Sequence, residues 1–457
     1  MKKNSDENYL IYRFHIQQND ILWQKCKLSK DIYNQTLFVY KKTLREENKW
    51  LRPFDIFKIM RDVPNLEDTK NYELLGTNPS RATSRVVVGS MISYCKLIKQ
   101  WSKNGKNPKA RPRMPHYIKE DAFVLEIPAQ SNNGSLKQNG YLLVQGNSSK
   151  KNQKKLLIKI PNFHILEAKL KEHKTTRFIP QKDKTFIVEI VYVPKKHQVT
   201  DLDYTEFASI DLGVNNIATL LVPDVRPILF NGQFIKSKNR FFNKEIGRLQ
   251  SCLGLTQETE PEHNSESINS DENKDKESKH KKNRKRIPET KKIRSLRIKR
   301  ENLMKDYFHK LSTYIVRYLI NHQIGNLVVG RNKGWKQEVS LGHRTNQNFA
   351  QLPHFKLIQQ LSYKCKMYGI NFYENEENYT SKCDALALEK ICKHSEYSGK
   401  RVKRGLFKSA VGKTINADVN GAINIMRKML SKQDKESNIQ TYLENKNIFQ
   451  PRKVYIL

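Results

Sequence analysis

One carboxylate at the end of an apolar run constrains this chain more than any other feature. Phe207-Ala208-Ser209-Ile210 reads as a strand, Asp211 follows it, and Leu212-Gly213 comes next. A charge flanked by strand residues is costly to bury unless it is paired or bound to a cation. Gly213 lets the backbone bend and a bulky ligand come close. Two apolar runs around Gly-Val-Asn-Asn make FASIDLGVNNIATLLV a hairpin signal, so the acid sits where a sheet begins.

Strands and helices then alternate. Helical periodicity covers roughly 236–254 and 291–322, NLVVG is a short strand, about 353–368 a helix, and GINFYENE another strand. Residues 379–416 are irregular and basic. DVNGAINIMRKML closes the region as a helix with Val419, Ile423 and Met426 on one face. This alternation from 205 to 430 argues for an α/β layer compatible with a ribonuclease H-like sheet, although order alone does not prove it. Asp418 opens the last helix, where an acid can simply be an N-cap or first-turn residue favoured by the helix dipole. A strand-end acid and a helix-start acid this far apart in sequence can meet only through a fold. Residues 256–290, which include EPEHNSESINSDENKDKESKHKK, are polar and read as a disordered insertion between two helices.

The first half has a different texture. YLIYRFHI at 9–16 reads as a strand, about 25–49 as a helix, and about 80–101 as a second helix with Pro79 near its start. GKNPKARPRMPHY then makes an extended cationic connector. Residues 121–193 are β-rich. The expectation is a small basic β-barrel over 1–24 and 102–198, closed by the first strand, with the helices of 25–101 inserted.

Charge indicates the partner. Lys and Arg total 84 against 46 Asp and Glu, a net +38 spread along the chain, which suits a polyanion. No run approaches the roughly 20 apolar residues of a membrane span, and no secretory leader is visible. The six cysteines show no disulfide-framework spacing. A cytoplasmic, nucleoid-associated protein without a membrane partner is expected. Hydrolysing a phosphodiester needs an activated water and stabilised charge on two oxygens, which two Mg²⁺ ions roughly 4 Å apart supply. Hard cations take oxygen ligands, so Asp and Glu are the expected side chains, with a third carboxylate still to be found.

At these residues the sequence resembles a family. SIDLGVNNIATL resembles the first RuvC motif of TnpB proteins, which insertion sequences encode, and NADVNGAINI resembles their third. YTSKC at 379–383 looks like the start of their zinc-ribbon insertion, and GKNPKARPRMPHY is similar to their basic connector. The resemblance implies an α+β multidomain fold: a wedge β-barrel with an inserted helical recognition domain, then a RuvC nuclease domain over 205–378 and 417–432. A degenerate ribbon-like lobe over 379–416 and a C-terminal tail over 433–457 complete it. It implies an RNA-guided DNA endonuclease using Mg²⁺, with Mn²⁺ able to substitute, a guide RNA from the element's end, and double-stranded target DNA carrying a short adjacent motif.

Two departures stand out. Leu327-Val328-Val329-Gly330 has glycine where the second RuvC motif carries Glu. Some TnpB and the Fanzor proteins instead place an acid three residues before the Thr of a TSK-like motif. That residue is Glu377 here, with Glu376 the near alternative and Glu374 sharing the parity of Glu376; only one parity reaches the metal. The ribbon also lacks paired C-x₂-C knuckles, offering only Cys383, Cys392 and His394, so no zinc is expected. Asp211, Glu377 and Asp418 are thus the candidate catalytic and metal residues.

Three clusters are candidates for nucleic-acid contact: Lys109, Arg111, Arg113, His116 and Tyr117 on the connector; Lys333, Trp335 and Lys336; and Arg401, Lys403 and Arg404 on the lobe. Trp335 equally suits a base stack or a core plug. A cleavage-dead RNA-guided binding protein, motivated by Gly330, and a strand-transferring transposase are the alternatives.

Overall fold

The computed structural model describes residues 9–65, 67–105, 111–129, 135–136, 139–144, 156–181, 183–195, 199, 201–257, 290–331, 352–403, 405–432, 439, 443 and 446–456. The Lys109, Lys333, Trp335, Lys336 and Arg404 candidates and almost all of the 256–290 insertion lie outside them. The chain divides into two compact units, 1–196 and 197–457.

In the first unit, strand β1 (Leu10–Ile16) leads into helix α1 (Asp20–Glu46). The Asn19 side chain caps α1 by accepting the Leu22 N–H. Leu22, Cys26, Ser29, Tyr33, Leu37 and Tyr40 then form its buried stripe at helical spacing. Helices α2 (Pro53–Asp62) and α3 (Asn71–Leu75) precede α4 (Thr77–Lys103). The helical region therefore begins earlier than 25 and holds two short helices that periodicity alone did not suggest, although Pro53 at the first position of α2 is a start signal.

Among the described residues the expected closed barrel does not form. Strands β2 (Leu125–Pro128), β6 (Leu170–Pro180) and β7 (Phe186–Pro194) make an antiparallel sheet with β1, ordered β1-β7-β6-β2. Strands β3 (Ser135–Leu136), β4 (Tyr141–Val144) and β5 (Leu156–Lys159) make a separate meander, and helix α5 (Phe163–Lys169) follows it. Among the described residues the two sheets meet through side chains, not a ladder. Leu142, Val144 and Ile158 share one core with Leu125, Phe178, Val188 and Ile190. Alternating strands can bury one face this way without closing a cylinder.

The second unit holds a six-stranded sheet ordered β12-β11-β8-β9-β10-β16. Strands β8 (Asp203–Asp211), β9 (Asn216–Leu221) and β10 (Ile228–Asn231) form an antiparallel meander. Helices α6 (Gln233–Gln257) and α7 (Lys291–Asn321) come next. Then β11 (Ile324–Arg331) adds parallel to β8, helix α8 (His354–Met367) crosses, and β12 (Asn371–Glu376) adds parallel to β11. A small antiparallel sheet, β13 (Lys400–Lys403), β14 (Leu406–Lys408) and β15 (Thr414–Asn416), leads into helix α9 (Ala417–Ser431). Strand β16 (Arg452–Val454) pairs parallel with β10.

Side-chain alternation sorts this sheet into two faces. Ala208, Ile210, Leu327 and Val329 pack with Phe308, Leu311 and Ile315 of α7 and Leu357 and Leu361 of α8. Phe207 and Val328 pack with Val419, Ile423 and Met426 of α9. A residue two beyond Ser209 or Val328 therefore faces α9. Among the described residues no helix is long and apolar enough to cross a membrane.

Candidate carboxylate centre

Asp211 is the last residue of β8, and alternation from Phe207 and Ser209 turns it toward α9. The Ser209 hydroxyl donates to the Ala422 carbonyl at 2.7 Å, fixing the helix over the strand. A Cβ at Gly421 would come within 3.0 Å of Asp211 Oδ2. A side chain there would make the carboxylate give by a few tenths of an ångström, so glycine suits this close approach of α9.

Asp418 enters from the first turn of α9. The N-cap is Asn416, whose side chain accepts the N–H groups of Asp418 and Val419. The Asp418 carboxylate is thereby freed from capping its own helix. One oxygen accepts the Asn216 side-chain amide at 2.7 Å, and the other lies 3.7 Å from the Arg401 guanidinium. Asn216 starts β9, so the hairpin next to Asp211 also holds the second acid.

Glu377 follows the last residue of β12. Parity assigns the faces: Tyr373 packs with the α9 core and Asn375 donates to the Ile425 carbonyl. Thr380 holds the turn after Glu377 through its hydroxyl, which donates to the Glu377 carbonyl at 2.9 Å. Glu377 Oε1 is buried with no hydrogen-bond partner. Glu376 is exposed, with its carbonyl accepting the Lys428 ammonium, and Glu374 is exposed and paired with Arg331.

The electrostatics follow from this crowding. Burial, then the Glu377 and Asp418 carboxylates, hold the Asp211 carboxyl well above the usual carboxylate range, while the Arg401 guanidinium pulls it down. Burial pushes Glu377 up to about 7. Asp211 keeps some accessible surface, so the centre opens to solvent on one side. Among the described residues no group of three His, Cys, Asp or Glu side chains stands close enough to enclose a metal ion. The donor set still suits a hard cation: every donor is a carboxylate oxygen, and one buried oxygen is left without a partner.

The lobe after Glu377 is built around other acids. Asp384 Oδ1 accepts the Leu386 and Ala387 N–H groups, and Oδ2 accepts the Ser409 hydroxyl and the Ala410 N–H. Glu389 accepts the Asp384 N–H and both the N–H and hydroxyl of Ser398. Asn420 and Asn424 of α9 donate to the Cys383 carbonyl, tying lobe to helix. Cys383 is buried, and the Cys392 thiol contacts the His394 ring at 3.3 Å. Sequence reading missed Asn216, Asp384, Glu389, Asn420 and Asn424. The four-residue spacing of the two asparagines in VNGAIN was the available signal for one helix face.

Among the nucleic-acid candidates, Arg401 and Lys403 are exposed on β13, and only Arg401 reaches the acids. Arg111, Arg113, His116 and Tyr117 are exposed on the connector. The Arg111 guanidinium lies over the Trp101 ring, and the Lys41 ammonium lies over Tyr117 at 4.5 Å. The Asn34 side chain pins the connector by bonding both the N–H and the carbonyl of Ile118.

Two family models match the chain: "Probable transposase" over residues 190–262, and "Cas12f1-like, TNB domain" over 354–425. The first segment contains Asp211 and the second contains Glu377 and Asp418. The TnpB-like protein ORF457 of Acidianus two-tailed virus is 25% identical over 235 residues, a match spanning 51% of this chain and 44% of that relative. A solved Cas12f1–sgRNA–target DNA complex aligns at TM-score 0.55 and 17% identity, covering 89% of this chain and 82% of that one. The mini-RNA-guided endonuclease CRISPR-Cas_phi3 aligns at TM-score 0.51 and 12% identity, covering 92% of each chain. These two likenesses establish a shared multidomain α+β fold. The two family models and the TnpB-like relative each match part of the chain, which is thus similar to TnpB-like proteins over the segments that carry Asp211, Glu377 and Asp418.

Proposed function

We propose that this protein is an RNA-guided, divalent-metal-dependent DNA endonuclease, cutting at the centre formed by Asp211, Glu377 and Asp418. The observation that carries the reading is the burial of Glu377 beside Asp211 with one carboxylate oxygen unsatisfied. Buried acids that repel one another persist where a cation offsets them. The meander followed by two parallel strands is the order of a ribonuclease H-like RuvC domain, and the first unit serves as the wedge and recognition region. The glutamate in place of the strand acid aligns the chain with the subgroup that resembles Fanzor proteins.

In this reading the three carboxylates would hold Mg²⁺, which would supply Lewis-acid charge and an activated water when bound. Asn216 keeps Asp418 turned toward the centre. Arg401, half-exposed beside Asp418, is placed to bind a phosphate oxygen of the DNA strand. The net charge of +38 supports a guide RNA and target DNA as partners, with base pairing reading the sequence. Sequencing RNA that co-purifies with the protein, then cutting a matched plasmid in Mg²⁺, tests the proposal. A discrete RNA and guide-dependent cutting are expected.

A second reading keeps guided binding and drops cleavage. It is favoured by the absence, among the described residues, of a closed three-ligand cluster. A discrete RNA with no cutting in Mg²⁺ or Mn²⁺ supports it. Joined donor and target DNA without a guide requirement would instead indicate strand transfer.

A further inference from the structure

Strand β11 passes between β8 and β12, and its residue Gly330 lies on the α9 face, two residues beyond Val328. Val329 pairs with Ile210, which places Gly330 beside Asp211; Gly330 itself pairs with Asn375. A Cβ built at Gly330 would stand 2.3 Å from Glu377 Oε1, 2.7 Å from Glu377 Cγ and 2.6 Å from Ile425 Cδ1. Nothing about the backbone demands glycine there, since Gly330 is not among the glycines with positive φ. What the position lacks is room. The Glu377 side chain occupies the volume that any residue-330 side chain would fill.

The geometry points to a single socket shared by positions 330 and 377. Only one of them can deliver a carboxylate to Asp211 and Asp418, and Gly330 is the positioning residue that lets Glu377 do so. The oxygen lodged in the socket is the same Oε1 that has no hydrogen-bond partner. On the other side stands Ile425 Cδ1, the free end of a side chain that can turn aside, whereas Glu377 fills the socket with Cγ as well as Oε1. A methyl group at 330 therefore has to displace Glu377. The acid's role in this inference rests on the proposed nuclease reading, whereas the steric exclusion does not.

Two measurements on the full-length chain separate those layers. The first is a double-mutant cycle in melting temperature. Gly330→Ala lowers Tm by several degrees, and most of that loss disappears in Gly330→Ala/Glu377→Ala, because the clash partner has gone. Additive losses would overturn the socket, whether or not the protein cuts DNA. The second is guide-dependent plasmid cleavage in Mg²⁺, with RNA co-purification monitored in every variant. Gly330→Ala and Glu377→Ala each reduce cutting by about 100-fold or more. Moving the acid, as Gly330→Asp/Glu377→Gly or the longer Gly330→Glu/Glu377→Gly, recovers at least tenfold of that loss. If both relocated-acid variants bind RNA and melt like Glu377→Ala, yet cut no faster than it does, the shared socket is wrong as a functional statement. Coupled melting temperatures with full cutting by Glu377→Ala would instead keep the socket and discard Glu377 from the nuclease reading.

Discussion

The second unit builds two neighbouring regions on buried acids and treats them in opposite ways. In the lobe, Asp384 takes four hydrogen bonds and Glu389 takes three, all from backbone N–H groups and serine hydroxyls of the same lobe. At the strand ends, Asp211 and Glu377 face one another, and a Glu377 oxygen has no partner at all. A carboxylate with its lone pairs filled holds a structure together. One left unfilled and crowded by like charge destabilises the fold unless something outside the chain completes it. On the proposed nuclease reading, the difference separates acids kept for stability from acids kept for chemistry.

The sharpest way to break that contrast is to remove one acid of each kind. Asp211→Asn or Asp418→Ala should reduce guided plasmid cutting by ~10³-fold or more. Asp211→Asn should at the same time leave the melting temperature unchanged or higher, because a buried repulsion is relieved. Asp384→Ala should do the reverse. It strands four donors, should cost about 2–4 kcal/mol, and should expose residues 379–416 to limited proteolysis. A chelator should stop cutting without exposing that segment. If Asp384→Ala melts like the parent, the lobe is not held by its acids.

A pH series sharpens the same contrast. Glu377 has a folded pKa raised to about 7. The folded chain therefore keeps this proton where the unfolded chain has lost it. Stability of the metal-free protein should fall as pH rises from about 4.5 to about 7, by at most roughly 1.4 kcal/mol per pH unit, and then level off. Glu377→Gln should flatten that part of the thermal-melting curve, and saturating Mg²⁺ should restore stability at high pH. An identical slope in the variant would remove Glu377 from the buried set. Smaller effects follow at the periphery. Arg401→Ala should slow cutting about tenfold at saturating target while RNA co-purifies normally. Glu376→Gln should stay within about twofold, since that side chain is exposed.

Much of the centre was legible because acids interrupting apolar patterns are conspicuous. Asp211 broke a strand and Asp418 opened a helix, and both motifs resembled a known family. Glu377 against Glu376 needed the strand's facing, and Glu377 lies just past the end of β12, where alternation read from sequence loses its anchor. The contacts of Tyr373 and Asn375 with α9 supply the missing phase. The hairpin, the parallel strands and the last helix were readable from periodicity. The closed barrel was not a safe reading, because alternating strands bury one face equally well in two sheets sharing a core. Asn216 and Asp384 were invisible for a simpler reason: their partners, Asp418 and Ser409, are remote in sequence.

The placement of the last acid also bears on synthesis. Asp211 emerges early in its unit, yet its enclosure waits for Gly421 of α9, which is made after the sheet's central strands. Contacts of such long sequence separation form late. A ribosome-bound chain that has finished β8 through β12 can pair its strands, but its carboxylates remain open to water and unassembled. On the proposed nuclease reading, the nascent chain therefore gains its complete centre only when the final helix docks.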